Sequence, residues 1–154
     1  MTLLAIDPGK RTGWALFTQD GELVRKGVLA LDELSATMYA RDDNLMGDEW
    51  FCFNDWRIDH VVIENYVNDP GTPQGGQENP AAEVIGAVCY VAKRTGVPVV
   101  RQRAADMHHA MKFVGYEEPK TRSGRKKHVP DEDSAYLHGV YYLVGRGLMK
   151  PLPL

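Results

Sequence analysis

Three places along this chain put a carboxylate where it could do chemistry. Residues 3–17 read Leu-Leu-Ala-Ile-Asp-Pro-Gly-Lys-Arg-Thr-Gly-Trp-Ala-Leu-Phe, so an apolar run ends in Asp7 before Pro8 and Gly9 stop it. A second run, His60-Val-Val-Ile-Glu64, ends the same way. Asp131 and Asp133 follow Pro130 at the expected start of a last helix. A carboxylate at the end of a buried strand is costly unless a hydrogen bond, a positive charge or a metal ion meets it. If the strands ending in Asp7 and Glu64 are neighbours, the two groups repel unless a cation or a proton intervenes. Oxygen-only clusters select hard ions such as Mg²⁺ or Mn²⁺. Plainer explanations stand beside this one. Asp before Pro-Gly is a common turn former, and acids in a first helical turn stabilise it through the helix dipole, with Asp131 or Ser134 also able to act as the cap.

Other residues extend the set. His128 could orient a water or replace a ligand, or be an ordinary loop histidine. Glu83 reads as helix surface. Arg101, Arg103, Lys112, Lys120, Arg122, Arg125, Lys126 and Lys127 are candidates for phosphate contacts, densest over Arg122–His128. Tyr66, just past Glu64, could stack on an unpaired base or pack at the strand end.

Elements must hold these groups in place. Leu3–Asp7, Gly13–Thr18 and Glu22–Leu31 read as three strands joined by Gly-containing turns, an antiparallel opening. A helix is expected over Ser35–Trp56, capped by Asp32 or Ser35, with Leu45, Trp50 and Phe53 on its buried face. His60–Glu64 is a buried strand. Asn65–Pro80, rich in Gly, Pro, Gln and Asn, reads as a long loop, and such loops are often functional. Asn79 caps a helix begun by Pro80 and running Ala81–Thr95, with Ile85, Val88, Cys89 and Ala92 as its apolar stripe. Val97–Gln102 is a strand, Ala104–Val114 a helix, residues 115–130 a basic loop, and Asp131–Val144 a last helix. This order suits a mixed sheet with helices on both faces.

The 154 residues and 44% hydrophobic content fit one soluble globular domain. No apolar run approaches the roughly 20 residues of a membrane helix. No signal peptide is apparent, and Cys52 and Cys89 stand in no metal-like spacing, which fits reduced thiols in a cytoplasmic protein. The net charge of −3 is not that of a general nucleic-acid coat. Its distribution is uneven. From Asp20 to Glu64 eleven acids face four bases, whereas from Lys93 to Lys127 ten bases face three acids, so one part can attract a polyanion that another repels.

Taken in order, the strand–Asp-Pro-Gly–strand opening, the strand ending Ile-Glu-Asn-Tyr, the helix segment Glu83-Val-Ile-Gly-Ala-Val, the following Gly-Val-Pro-Val-Val and the ending His138-Gly-Val-Tyr-Tyr-Leu-Val resemble RuvC-type Holliday junction resolvases. The flavour is that of the short resolvase-like proteins of bacteriophages. The resemblance covers nearly the whole chain. It implies a single ribonuclease H-like domain over residues 1–154: an α/β fold with a five-stranded mixed sheet, three antiparallel strands first, flanked by helices. It also implies a homodimer, for which the 81–95 helix offers its stripe, two Mg²⁺ or Mn²⁺ ions per site, and symmetric nicking of four-way DNA junctions, in a bacterial host cytoplasm if the protein is phage-encoded. Asp7 matches the family's first-strand aspartate and Glu64 its central-strand glutamate. The family's last helix begins Asp-x-x-Asp or His-x-x-Asp, usually followed by Ala. Two registers are open. His128-Val-Pro-Asp131 fits, but then Glu132 stands where a small residue belongs. Matching back from His138 and Tyr142 puts Asp131 first and Ser134 second, with Asp133 acting from one residue earlier. The second register raises an alternative, a branched-DNA-binding protein with an impaired site. Another is a related ribonuclease H-like nuclease acting on other DNA or RNA. An actin-like ATPase needs two such domains and is set aside.

Overall fold

Alternation along the strands decides which way each carboxylate points. In the computed structural model, which describes residues 1–42, 49–65 and 79–152, the main sheet has five strands. They are β1 (Leu3–Asp7), β2 (Arg11–Phe17), β3 (Leu23–Ala30), β7 (His60–Glu64) and β8 (Val99–Gln102), in the order β3-β2-β1-β7-β8. β1, β2 and β3 pair antiparallel, while β7 runs parallel to β1, and β8 to β7. The expected mixed sheet, antiparallel strands first, is therefore present, and the strands ending in Asp7 and Glu64 are neighbours.

Successive strand residues face opposite sides of a sheet, and the two cores follow that rule. Leu4, Ile6, Trp14, Leu16, Val61 and Ile63 enter one core with Leu34 of α1 (Leu31–Thr37) and Val84, Ile85 and Val88 of α2 (Pro80–Arg94). Leu3, Ala5, Ala15, Phe17 and Val62 enter the other, with Ala110 and Met111 of α3 (Ala104–Val114) and Ala135, Leu137, Val140 and Leu143 of α4 (Asp131–Gly145). Continuing the alternation turns Asp7 and Glu64 to the α4 side. α4 packs closely on β2 because Gly139 has no side chain: a Cβ there would lie 2.2 Å from the Phe17 ring.

The helix expected over Ser35–Trp56 is not formed. After the short α1 the chain makes a second, antiparallel sheet of β4 (Met38–Asp42), β5 (Glu49–Phe53) and β6 (Trp56–Arg57). Leu45 lies outside the described residues. The reason is a period of two: Phe51 and Phe53 are both fully buried, and each such burial contributes about 1.5–3 kcal/mol. Asn54 and Asp55, both with positive φ (46° and 65°), turn the chain from β5 into β6, a conformation that Asn and Asp tolerate in hairpins. α1 is closed by Glu33, whose side chain accepts from the Ala30 N–H at 2.9 Å, and not by Asp32 or Ser35.

α2 begins as expected, with the Asn79 side chain accepting from the Ala82 N–H at 3.1 Å. Three residues of its stripe, Ile85, Val88 and Ala92, are buried in the chain's own core. The face left to solvent carries Ala82, Glu83, Gly86 and Tyr90.

Candidate active site

Three adjacent strands of the main sheet end at one level. Ile6 pairs with Ile63, so Asp7 and Glu64 follow side by side, and Glu64 is itself paired with Gln102. On its other side Asp7 is paired with Gly13 of β2. The start of α4 crosses directly over that glycine. A Cβ at Gly13 would lie 1.9 Å from the Asp131 carbonyl oxygen, so only glycine lets the helix come this close.

α4 meets the strand ends with one stripe of side chains, Asp131, Ser134 and His138, spaced so that they share a face. Ser134 stands by the Asp7 carboxylate and favours its ionised form. His138, fully buried, sets Nε2 2.9 Å from Glu64 Oε2 and Nδ1 2.8 Å from Gln102 Oε1. The ring thus stands between a carboxylate oxygen and a side-chain amide. Gln102 braces the far side of the ring. The cap of α4 is Pro130, with no side-chain cap bond, so neither Asp131 nor Ser134 serves as the helix cap.

The electrostatics are lopsided. Burial, and next the Glu64 carboxylate, push the Asp7 carboxyl up to about 6; Asp131 adds to the push, while Ser134 and His138 pull against it. A proton or a cation would relieve this excess of negative charge. The donors are oxygens, as a hard divalent ion requires. Among the described residues no three His, Cys, Asp or Glu side chains are grouped closely enough to hold a metal by themselves. Asp7 and Glu64 are two, and Mg²⁺ is commonly held by one or two carboxylates, with waters and substrate phosphate completing its shell.

Asp7 opens onto a cleft of about 400 Å³ lined by Pro8, Gly9, Lys10, Arg11, His128 and Asp131. His128 and Asp131 therefore stand at the same opening as Asp7. Arg11 Nε lies 3.8 Å from Asp131 Oδ2. Asp133 is engaged elsewhere: it pairs with Lys26 of β3 and accepts from the Tyr116 hydroxyl at 2.7 Å, a bond that, after burial, raises the Tyr116 pKa. Asp133 is not among the groups that act on Asp7.

The basic candidates are spread over the surface. Lys120, Arg122, Arg125, Lys126 and Lys127 are all exposed on a turn closed by the Thr121 N–H donating to the Arg125 carbonyl at 2.8 Å. Lys126 pairs with Glu118, and Arg103 with Asp106. Lys112 lines a separate open groove with Lys120 and Lys126. Arg101, exposed on β8, reaches the Cys89 thiol at 3.6 Å. Tyr66 lies outside the described residues. Sequence reasoning passed over Lys10 and Arg11, the basic pair of the turn after Asp7. It also passed over Gln102, which ends its strand in a polar residue just as Asp7 and Glu64 do, and named His138, one helical turn beyond Ser134, only as part of the matched ending and not as a site residue.

The fold has counterparts among solved structures. Thermus thermophilus RuvC in complex with Holliday junction substrate is 16% identical, with a TM-score of 0.58 over 99% of each chain. A second Thermus thermophilus RuvC structure is 13% identical, with a TM-score of 0.53 over 99% of this chain and 100% of that one. The fold is RuvC-like. No protein-family model and no curated protein matches the chain.

Proposed function

We propose that this chain is a divalent-metal-dependent endonuclease that nicks branched DNA, four-way junctions above all. One observation carries the reading: in a RuvC-like fold, Asp7 and Glu64 stand side by side at the strand ends, beneath the start of α4. These two would hold the metal, with Asp131 at the rim. A bound divalent cation supplies Lewis-acid polarisation of the phosphate and activation of water. The chain's own residues do the rest. Ser134 and His138 fix the two carboxylates. Arg11 and Lys10, on the lip of the cleft, receive phosphate oxygens, and His128 orients water at the same opening. Lys120, Arg122, Arg125 and Lys127 add phosphate contacts that position the DNA without reading its sequence. Tyr66 offers a ring to an unstacked base. Two copies, paired across the outward face of α2, would nick the two strands symmetrically.

The test is cleavage of a synthetic four-way junction, a duplex and an RNA of matched sequence, each in Mg²⁺ and in Mn²⁺. Nicks confined to the junction and absent in Asp7→Asn are expected. Equal cutting of duplex or RNA would replace this reading with that of a related nuclease. Ser134, standing at Asp7 where the resemblance puts a carboxylate, favours a second reading: a junction-binding protein with an impaired site. Tight junction binding with no nicks in either metal would establish that one.

A further inference from the structure

We infer that Glu118 is a resident counter-ion filling the seat of a DNA phosphate, in the groove between α3 and the basic turn, and that a bound junction displaces it. This rests on the branched-DNA reading, and the seat it adds lies outside the strand-end cleft. The groove, about 740 Å³, is lined by His108 and Lys112 of α3, by Tyr116, and by Glu118, Lys120 and Lys126 of the segment that follows. Lys126 Nζ lies 2.5 Å from Glu118 Oε2, and His108 Nδ1 lies 3.8 Å from Oε1. The Glu118 side chain is 19% exposed, against 76% for Lys126 and 60% for His108, so the carboxylate sits inward with cations around it. The Lys126 hydrogen bond, with His108 and Lys120 behind it, holds the Glu118 carboxyl below the usual carboxylate range.

Two of these cations are set by the backbone. Lys120 and Lys126 face each other across an isolated antiparallel bridge. The Thr121 N–H donates to the Arg125 carbonyl and the Lys127 N–H to the Pro119 carbonyl, each at 2.8 Å. The two lysines are therefore a non-hydrogen-bonded pair, the closer cross-strand arrangement, with Cα atoms about 4.5 Å apart. Like charges directly opposite one another are destabilising, and an anion at their face relieves the repulsion. One carboxylate bound to one of the two does so only in part. Lys112 and Lys120 line the same groove and have no carboxylate partner among the described residues. The groove thus holds more positive charge than its own acid answers, and a phosphodiester can take donors from both walls. Its place suits DNA. Tyr116 donates to Asp133 at 2.7 Å, so the groove opens beside the first turn of α4. Arg122, Arg125 and Lys127 carry the positive charge on along the turn, a row that a polyanion uses and a single small anion does not.

Binding of a synthetic four-way junction to the full chain in chelator, measured at several salt concentrations, is the test. Glu118→Gln is expected to tighten binding about fivefold, the upper range for an exposed ion pair. It should also steepen the salt slope by roughly 0.9, because a displaced Glu118 takes up a cation in place of the one its phosphate releases, and Gln does not. Glu117→Gln removes the same charge from the exposed neighbouring residue, where solvent and salt screen it, and should gain less than about twofold. Adding Lys126→Ala to Glu118→Gln should cancel the gain, as for two residues that act through one contact. Lys112→Ala with Lys120→Ala should weaken binding and flatten the slope, and unchanged binding there overturns the seat even if Glu118→Gln does not fold. An equal gain in Glu117→Gln also overturns it, since net charge then accounts for the effect. So does unchanged or weaker binding in Glu118→Gln, the result for an acid that only braces the turn. Wild-type binding without a gain in Glu118→Gln leaves the branched-DNA reading intact, whereas no junction binding at all overturns both.

Discussion

The strand ends beneath α4 and the basic turn at residues 120–127 carry opposite charge and are held by opposite means. At the strand ends every polar group has its place set by backbone register: Asp7 beside Glu64, Glu64 beside Gln102, and α4 laid across Gly13. The price is an Asp7 carboxyl pushed up to about 6, chiefly by burial. The basic turn is exposed, and part of its charge is neutralised locally, as in the Lys126–Glu118 pair. One region acts through position and the other through summed charge. Single substitutions should therefore be severe in the first and graded in the second.

The largest effect expected is that of Glu64→Gln on nicking. The rate with a four-way junction should fall by about 10²–10³-fold, as when a preorganised electrostatic group is removed, with junction affinity nearly unchanged. Gel assays of rate and binding on one preparation check this. Parallel loss of both would break the contrast.

Next is a stability change of unusual sign. In chelator, Asp7→Asn should stabilise the fold at pH 7.5 by up to about 3 kcal/mol, since about 6 against an ordinary carboxylate near 4 corresponds to that much. The sign follows from proton binding. Between pH 4 and 6 the folded chain holds the Asp7 proton more tightly than the unfolded chain, so wild-type stability falls as pH rises through that window. The gain from Asp7→Asn should thus vanish below pH 4. Urea unfolding across pH checks it, and a gain that persists at pH 3.5 would mean that charge is not its source.

The basic turn should respond more gently. Arg122→Ala, Arg125→Ala and Lys127→Ala combined should weaken junction binding by about tenfold and lower the salt slope by roughly 0.9 for each phosphate left without its cation. The nicking rate at saturating DNA should not move. Binding isotherms at several salt concentrations measure the slope, and an unchanged slope removes this turn from the interface.

Smallest is the pair of neighbours Asp131 and Asp133. Tyr116→Phe deletes the hydroxyl that bonds Asp133 and should cost about 1 kcal/mol of stability, with Mn²⁺ affinity unchanged. Altered Mn²⁺ affinity in Tyr116→Phe would place Asp133 at the metal after all.

Much of this contrast was legible in the sequence. Apolar runs closed by a carboxylate marked β1 and β7, but which core each of their residues joins is seen only in the fold. That Asp7 and Glu64 are neighbours stood only as a condition in the sequence, and the strand order of the sheet meets it. The segment after β3 was misread because Phe51 and Phe53 lie two apart inside a stretch whose other residues mask the period. Which of Asp131 and Asp133 faces Asp7 was not legible. Helix residues two apart point to nearly opposite sides, at about 100° per residue, and only the docking of α4 on Gly13 selects between them. The place of His138 in the site lay hidden for a related reason: its partners, Glu64 and Gln102, are 74 and 36 residues away.

The bare backbone at Gly13 has a mechanical consequence. α4 touches the sheet tightly at two glycines, Gly13 under its first residue and Gly139 against Phe17. Asp131 and Gly139 are about 12 Å apart along the helix axis at 1.5 Å per residue. The helix is a lever with its fulcrum at the second contact. A methyl group at position 13 would lift the tip, and each 1 Å of lift at Asp131 would become roughly 0.6 Å at Ser134 and roughly 0.1 Å at His138 on a rigid rod. Gly13→Ala would thus draw the stripe away from the strand ends in sequence, releasing Asp7 well before Glu64.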